Sequence, residues 1–242
     1  MIKITHFIFC VATIVLFAAQ GIHAQEMIVP GQEFRNTGHL AEGNSEYIIQ
    51  FERSGWETHE AGLIERKMIH SGDSLLLIRK VTRGKISSKD TLVMNRESLQ
   101  PISLSALQSD RKTHYSSTDQ SVTAEIRFPE QGDTLNYTRK SEHLFFDISS
   151  LELVLGAFNR RDLDGKTIHL FDHQTSSFLD FKINDIQRER IKDASGNRHR
   201  CFKISGKLNR ANATYWIDRR SGELIKSHLE MTGNMAMMTL KK

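Results

Sequence analysis

The clearest pattern along the chain is strict alternation. Val122, Ala124, Ile126 and Phe128 fall on one side of an extended segment, with Ser121, Thr123, Glu125 and Arg127 on the other. Pro129 ends that segment, and Gln131-Gly132-Asp133 supplies a turn. Tyr47, Ile49 and Phe51 alternate in the same way with Ile48, Gln50 and Glu52. Leu75 and Leu77 alternate with Leu76 and Ile78, which predicts a strand apolar on both faces and central in its sheet. Further strands are expected where Leu179, Phe181 and Ile183 alternate, at His199 to Leu208, at Ala213 to Ile217, at Leu224 to Met231 and at Met235 to Leu240. Asp193 to Asn197 and Asp218 to Gly222 have hairpin chemistry. The sum is a β meander of about ten to twelve strands at a spacing of roughly 8–12 residues.

One stretch breaks the alternation. His143 to Arg161 reads as a helix entering the sheet. Ser149 and Glu152 have capping-box spacing, and Ile148 with Leu153 has that of a hydrophobic staple. Leu151, Val154, Leu155 and Phe158 then recur at helical spacing, with Leu153 and Ala157 widening the stripe. A short helix over about residues 149–158, buried on more than one side, is therefore expected to be wrapped by the sheet.

The first residues look like an address. Lys3, an apolar run from Ile4 to Ala19 and the small Ala24 make a secretory signal peptide, with cleavage expected after Ala24. The domain reading is then a signal over 1–24, a loosely ordered lead-in over 25–45 and one β-rich domain over 46–242. Past the leader only Cys201 remains, so no intramolecular disulfide can form. Export without disulfides suits the periplasm of a Gram-negative bacterium. The net charge of +4 comes from 33 basic and 29 acidic residues that are interspersed, a solvated surface and not a nucleic-acid footprint.

Several phrases together resemble an exported bacterial family, domain of unknown function 3108. They are a solvent-exposed Asp-Thr-Leu (90–92) with Ser98-Leu99-Gln100-Pro101, the Asp147-Ile148-Ser149-Ser150-Leu151 helix start, Tyr215-Trp216-Ile217-Asp218, and Ser221-Gly222-Glu223-Leu224-Ile225-Lys226. The resemblance covers about residues 46–231. It implies the curved antiparallel half-barrel or open barrel of lipoprotein-carrier-like folds, with the helix on the concave face. It implies no catalytic residues.

Chemistry is sparse. A Gly-rich phosphate loop, a nucleophile elbow and the common zinc motifs are all missing from the sequence. His169, Asp172 and His173 come nearest to a metal set, but in a strand the two histidines face one way and Asp172 the other. No metal, cofactor or enzymatic activity is expected. The expected function is an envelope protein holding a lipid or other apolar, acyl-type ligand between sheet and helix, with Leu151, Val154, Leu155 and Phe158 lining the cavity. The alternative is a structural or protein-interaction module of the envelope, in which the same side chains fill a dry core.

Overall fold

The alternating segments form strands and pair mostly in chain order. The computed structural model describes residues 26–34, 40–53, 59–158, 160–231 and 234–241. The expected signal peptide lies outside the described residues. The first half of the chain contributes β1 (Met27–Ile28), β2 (Gly43–Arg53), β3 (His59–Ser71), β4 (Ser74–Arg83), β5 (Ile86–Asn95), β6 (Pro101–Leu107), β7 (Lys112–Thr118), β8 (Ser121–Phe128) and β9 (Asp133–Lys140). Strand β10 (Phe146–Asp147) leads into the helical segment, and after that segment come β11 (Thr167–Asp172), β12 (Ser177–Lys192), β13 (Arg198–Leu208), β14 (Ala211–Asp218), β15 (Leu224–Met231) and β16 (Asn234–Lys241).

Two meanders make one sheet. Strands β2 to β9 form the first and β11 to β16 the second, joined where β16 pairs antiparallel with β2. Within the 25–45 segment, Met27 and Ile28 run parallel to β11 and pair with Thr167 and Ile168. Strand β10 pairs further along β11, at Leu170 and Phe171. The fold is thus mostly β, a single open curved sheet with one short helix in its concavity.

Curvature is built into the strands. The pairing of β12 with β13 shifts register between Ile183 and Asp185, a bulge that bends the long strand. Gly206 sits opposite Ile183, and a Cβ there would collide with the carbonyl oxygen of Lys182. Gly62 stands in the same relation to Thr82, beside the register shift of β2 and β3 at Ile49/Gln50. Glycine is needed at both because another backbone approaches where the side chain would start.

The curl brings the two ends of the sheet together through side chains. Arg139 Nε, at the end of β9, donates to the Ser176 carbonyl at 3.3 Å, and Tyr115 OH donates to Asp147 Oδ2 at 2.5 Å. No backbone ladder joins β9 to β10 or β11 among the described residues. Strand β9 is exposed along nearly its whole length, and Arg139 and Lys140 put charge on that free edge, which discourages pairing with other strands.

The helical segment differs in detail from its sequence pattern. A 3-10 turn, Ile148–Ser150, precedes α1 (Leu151–Ala157), and a one-turn helix, α2 (Arg160–Leu163), follows. Phe158 is already extended, so the helix ends earlier than its apolar period. The expected capping box does not form. Asp147 Oδ1 accepts the Ser149 N–H at 2.7 Å and so caps the turn, while Glu152 reaches Arg66 at 3.8 Å. An aspartate two residues upstream took the place of the serine because the 3-10 turn moves the first free N–H groups. Helix α1 packs against β14 and β15 with Leu151, Leu153, Val154, Leu155 and Ala157 all buried.

Candidate functional site

The four sequence candidates lie in packed surroundings. Leu151, Val154 and Leu155 belong to the main core, together with Leu75, Leu77, Leu92 and Ile217. Phe158 meets Phe34 edge to face at 5.3 Å and lines a cavity of about 280 Å³ near Glu26 and Arg161. The larger cavity beside the helical segment is instead at its lead-in turn.

That cavity, about 620 Å³, lies at one end of the curled sheet. Its apolar wall is Ile148 from the 3-10 turn, Leu179 from β12, Leu208 from β13 and Leu229 from β15. Polar groups enter from three directions. Strand β4 sends in Arg79, in phase with the buried Leu75 and Leu77. The lead-in turn contributes Ser149, and the β11–β12 turn contributes His173.

These polar groups are unmatched. Ser149 is 2% exposed and His173 3% exposed. Among the described residues, Ser149 Oγ, both ring nitrogens of His173 and Arg79 Nε have no hydrogen-bond partner. Buried polar groups are ordinarily paired, because an unpaired one costs about 1–3 kcal/mol. Asp172 also lines the cavity, but its carboxylate holds the local turn through the Gln174 N–H at 2.9 Å and Thr175 Oγ1 at 2.8 Å. That turn follows the end of the strand, and His169 and His173 line different cavities. No group of three metal-ligating side chains gathers among the described residues.

Behind the cavity stands Asp147, fully buried. It takes the Tyr115 hydroxyl and the Ser149 N–H, and its Oδ2 is 3.9 Å from His173 Nδ1. Burial, and then the Asp147 charge, push the Tyr115 phenol well above its usual range, so Tyr115 stays a neutral donor. The carboxylate therefore has strong partners before His173 is counted, and it holds the lead-in turn against the sheet.

Arg79 is loosely held. Its Nη2 lies 3.9 Å from Asp90 Oδ2, directly across the β4–β5 pair. Asp90 is 4% exposed, so the Asp-Thr-Leu phrase that looks solvent-exposed in sequence faces inward at its aspartate. Asp90 shares the phase of Leu92 and Met94 and must point where they point.

A second polar set lies on the outward face of the sheet. Ser141 Oγ and His169 Nε2 are 3.0 Å apart, and His169 Nδ1 is 2.7 Å from Asp180 Oδ1. The order Ser–His–Asp is that of a nucleophile relay, yet its setting is that of a stitch. The Asp180 side chain is 40% exposed, and the residue is the cross-strand partner of His169, opposite in direction to the core-facing Phe181. Ser141 Oγ also accepts the His143 N–H at 3.1 Å. The set ties the β9–β10 connection to β11, closing by side chains what the backbone leaves open. His199, between Asp193 at 3.1 Å and Asp218 at 3.4 Å, joins two turns in the same manner.

The signal for the end cavity was present in the sequence. Arg66, Arg79 and Asp90 each occupy a core-phase position within an otherwise apolar alternation. His173 had no such signal, since its direction depends on where the strand stops.

Comparison with known proteins adds the fold alone. No family model matches the chain, and no curated protein does. Among solved structures, a β-barrel-like protein of domain of unknown function DUF1849 from Brucella abortus superposes with a TM-score of 0.52 at 10% identity, covering 90% of this chain and 98% of its own. The C-terminal domain of YpeB from Bacillus megaterium aligns with a TM-score of 0.22 at 10% identity, over 70% of this chain and 90% of its own. The comparison thus supports a β-barrel-like fold, while the resemblance to domain of unknown function 3108 is not confirmed.

Proposed function

We propose that this chain is an exported, non-catalytic binding protein of the bacterial envelope. Its ligand is an apolar, acyl-type molecule, held in the end cavity beside the lead-in turn and not along the helix itself. The observation that carries this reading is the cavity of about 620 Å³, walled by Ile148, Leu179, Leu208 and Leu229 and edged by unmatched polar atoms. That size falls within the roughly 300–1,000 Å³ of small-molecule sites, and an apolar wall with a few placed polar groups is their usual composition. The N-terminal Lys3, the apolar run to Ala19 and Ala24 support export. Among the described residues, no helix is long and apolar enough to cross a membrane.

A second reading, the structural or interaction module, is favoured by one observation: Leu151, Val154 and Leu155 are packed in the core. Native mass spectrometry of protein purified from envelopes without detergent separates the two. The binding reading expects a co-purifying mass that lipid extraction recovers as an acyl compound. Bare protein that also takes up no fatty-acid probe would end it.

A further inference from the structure

The unmatched atoms say more about the ligand than its apolar wall does. Arg79 Nε can only donate. A neutral imidazole must donate from one of its two nitrogens, and both of those in His173 lack a partner. Ser149 Oγ is a third available donor. Two of the nearby acids are already engaged: Asp172 holds its turn, and Asp147 is bound by Tyr115 and the Ser149 N–H. Asp90 lies across from Arg79 without lining the cavity, and its Oδ1 is itself without a hydrogen-bond partner. Arg66 is the direct cross-strand neighbour of Arg79, so two guanidinium groups lie side by side on the inner face. Like charges placed directly opposite repel. Arg66 is offset by Glu152 and Glu223, whereas among the described residues Arg79 has only Asp90, at 3.9 Å. Arg210, from the β13–β14 turn, adds a further positive side chain to the lining.

We infer that the ligand of the end cavity is a single-chain amphiphile with an anionic head, the head seated on Arg79, Ser149 and His173 and the chain against Leu179, Leu208 and Leu229. The inference rests on the proposal that the cavity is a ligand site. A carboxylate or phosphate oxygen would satisfy the buried donors and complete the charge of Arg79, and charge-assisted hydrogen bonds of this kind are about twice as strong as neutral ones. Specificity would follow from the same atoms, since a site with buried donors rejects a ligand that leaves them unpaired.

Isothermal titration of delipidated protein with decanoate, decyl phosphate and decan-1-ol tests it. The expected result is that at least one anion binds about tenfold or more tightly than the alcohol, a factor within reach of a single charged contact. The difference should shrink severalfold in Arg79→Gln, and His173→Gln gives the same test should the arginine variant fail to fold. Which anion binds better separates a carboxylate head from a phosphate head, and preference for either supports the inference. Equal binding of alcohol and both anions would overturn it while leaving an apolar site intact. Binding of none would overturn both the inference and the reading beneath it.

Discussion

Arg66 and Arg79 are opposite one another on adjacent strands, both directed into the concave side of the sheet, yet their surroundings differ. Arg66 is 5% exposed and enclosed. Its Nη2 donates to Ser45 Oγ at 3.1 Å, Glu152 and Glu223 lie at 3.8 and 4.0 Å, and its guanidinium covers the Tyr47 ring at 5.1 Å. Ser45 in turn donates to Glu223 at 3.2 Å. Arg79 has one carboxylate at a loose distance and an unmatched Nε at a cavity wall. A closed polar network fixes a fold, while an open one at a cavity leaves bonds for something else to make. The first arginine locks helix α1 to the sheet. The second stands at a cavity wall with its Nε unmatched.

The largest expected effect comes from breaking the closed side. Arg66→Met removes the cation beside Glu152 and should cost about 3–5 kcal/mol in urea unfolding, the range for stripping a buried ion pair of one member. Leu155→Ala, in the core beneath the same helix, should cost about 2–5 kcal/mol through lost burial and the cavity left behind. Arg79→Gln should cost less, about 1 kcal/mol, because it gives up one distant pair in a partly open site. Should Arg79→Gln prove as damaging as Arg66→Met, the contrast between the two positions fails.

A smaller effect concerns acid. His228 faces outward on β15, beside Trp216 at 4.7 Å. Burial, then the charges of Lys226 and Lys203, push its imidazole down to about 4 from 6.5, with Glu189 opposing. Between those values the unfolded chain binds the additional proton, so stability is complete above about 6.5 and declines as pH falls toward about 4. His228→Gln should flatten that part of a stability–pH curve, and an unchanged slope would remove His228 from the explanation. The smallest effect is expected at the outward stitch. Ser141→Ala loses the part-buried hydrogen bond to His169 and the exposed one from the His143 N–H, and should cost about 1 kcal/mol.

Much of the fold was legible because alternation reports directly on a half-buried sheet. The segment from Ser121 to Phe128 became β8 with the same bounds, and the tail became β16. Leu75 and Leu77 are buried in a strand flanked on both sides, as their doubly apolar pattern requires. Strand β9 was not legible, since an exposed edge carries no apolar period. Neither was β10, whose two residues pair through position and not pattern. The cap was misassigned because Asp147 and Ser149 both suit a helix start, and only the 3-10 turn decides between them. Of the helix's apolar candidates, Leu151, Val154 and Leu155 lie in the core and Phe158 lines a small cavity, while the end cavity is lined by Arg79, a charge in core phase. His173 and Arg79 come from parts of the chain that no local pattern connects.

The central claim is that the end cavity, and not the helix face, holds an acyl ligand. The direct measurement is cis-parinaric acid fluorescence with two variants compared to the parent. Ala211 is a small residue lining the cavity, so Ala211→Trp should fill it and abolish probe binding with the melting temperature little changed. Leu155→Ala should lower the melting temperature and leave the probe bound in whatever fraction stays folded. The opposite pattern, with Ala211→Trp binding like the parent and Leu155→Ala losing the probe while still folded, would contradict the claim and return the ligand to the helix.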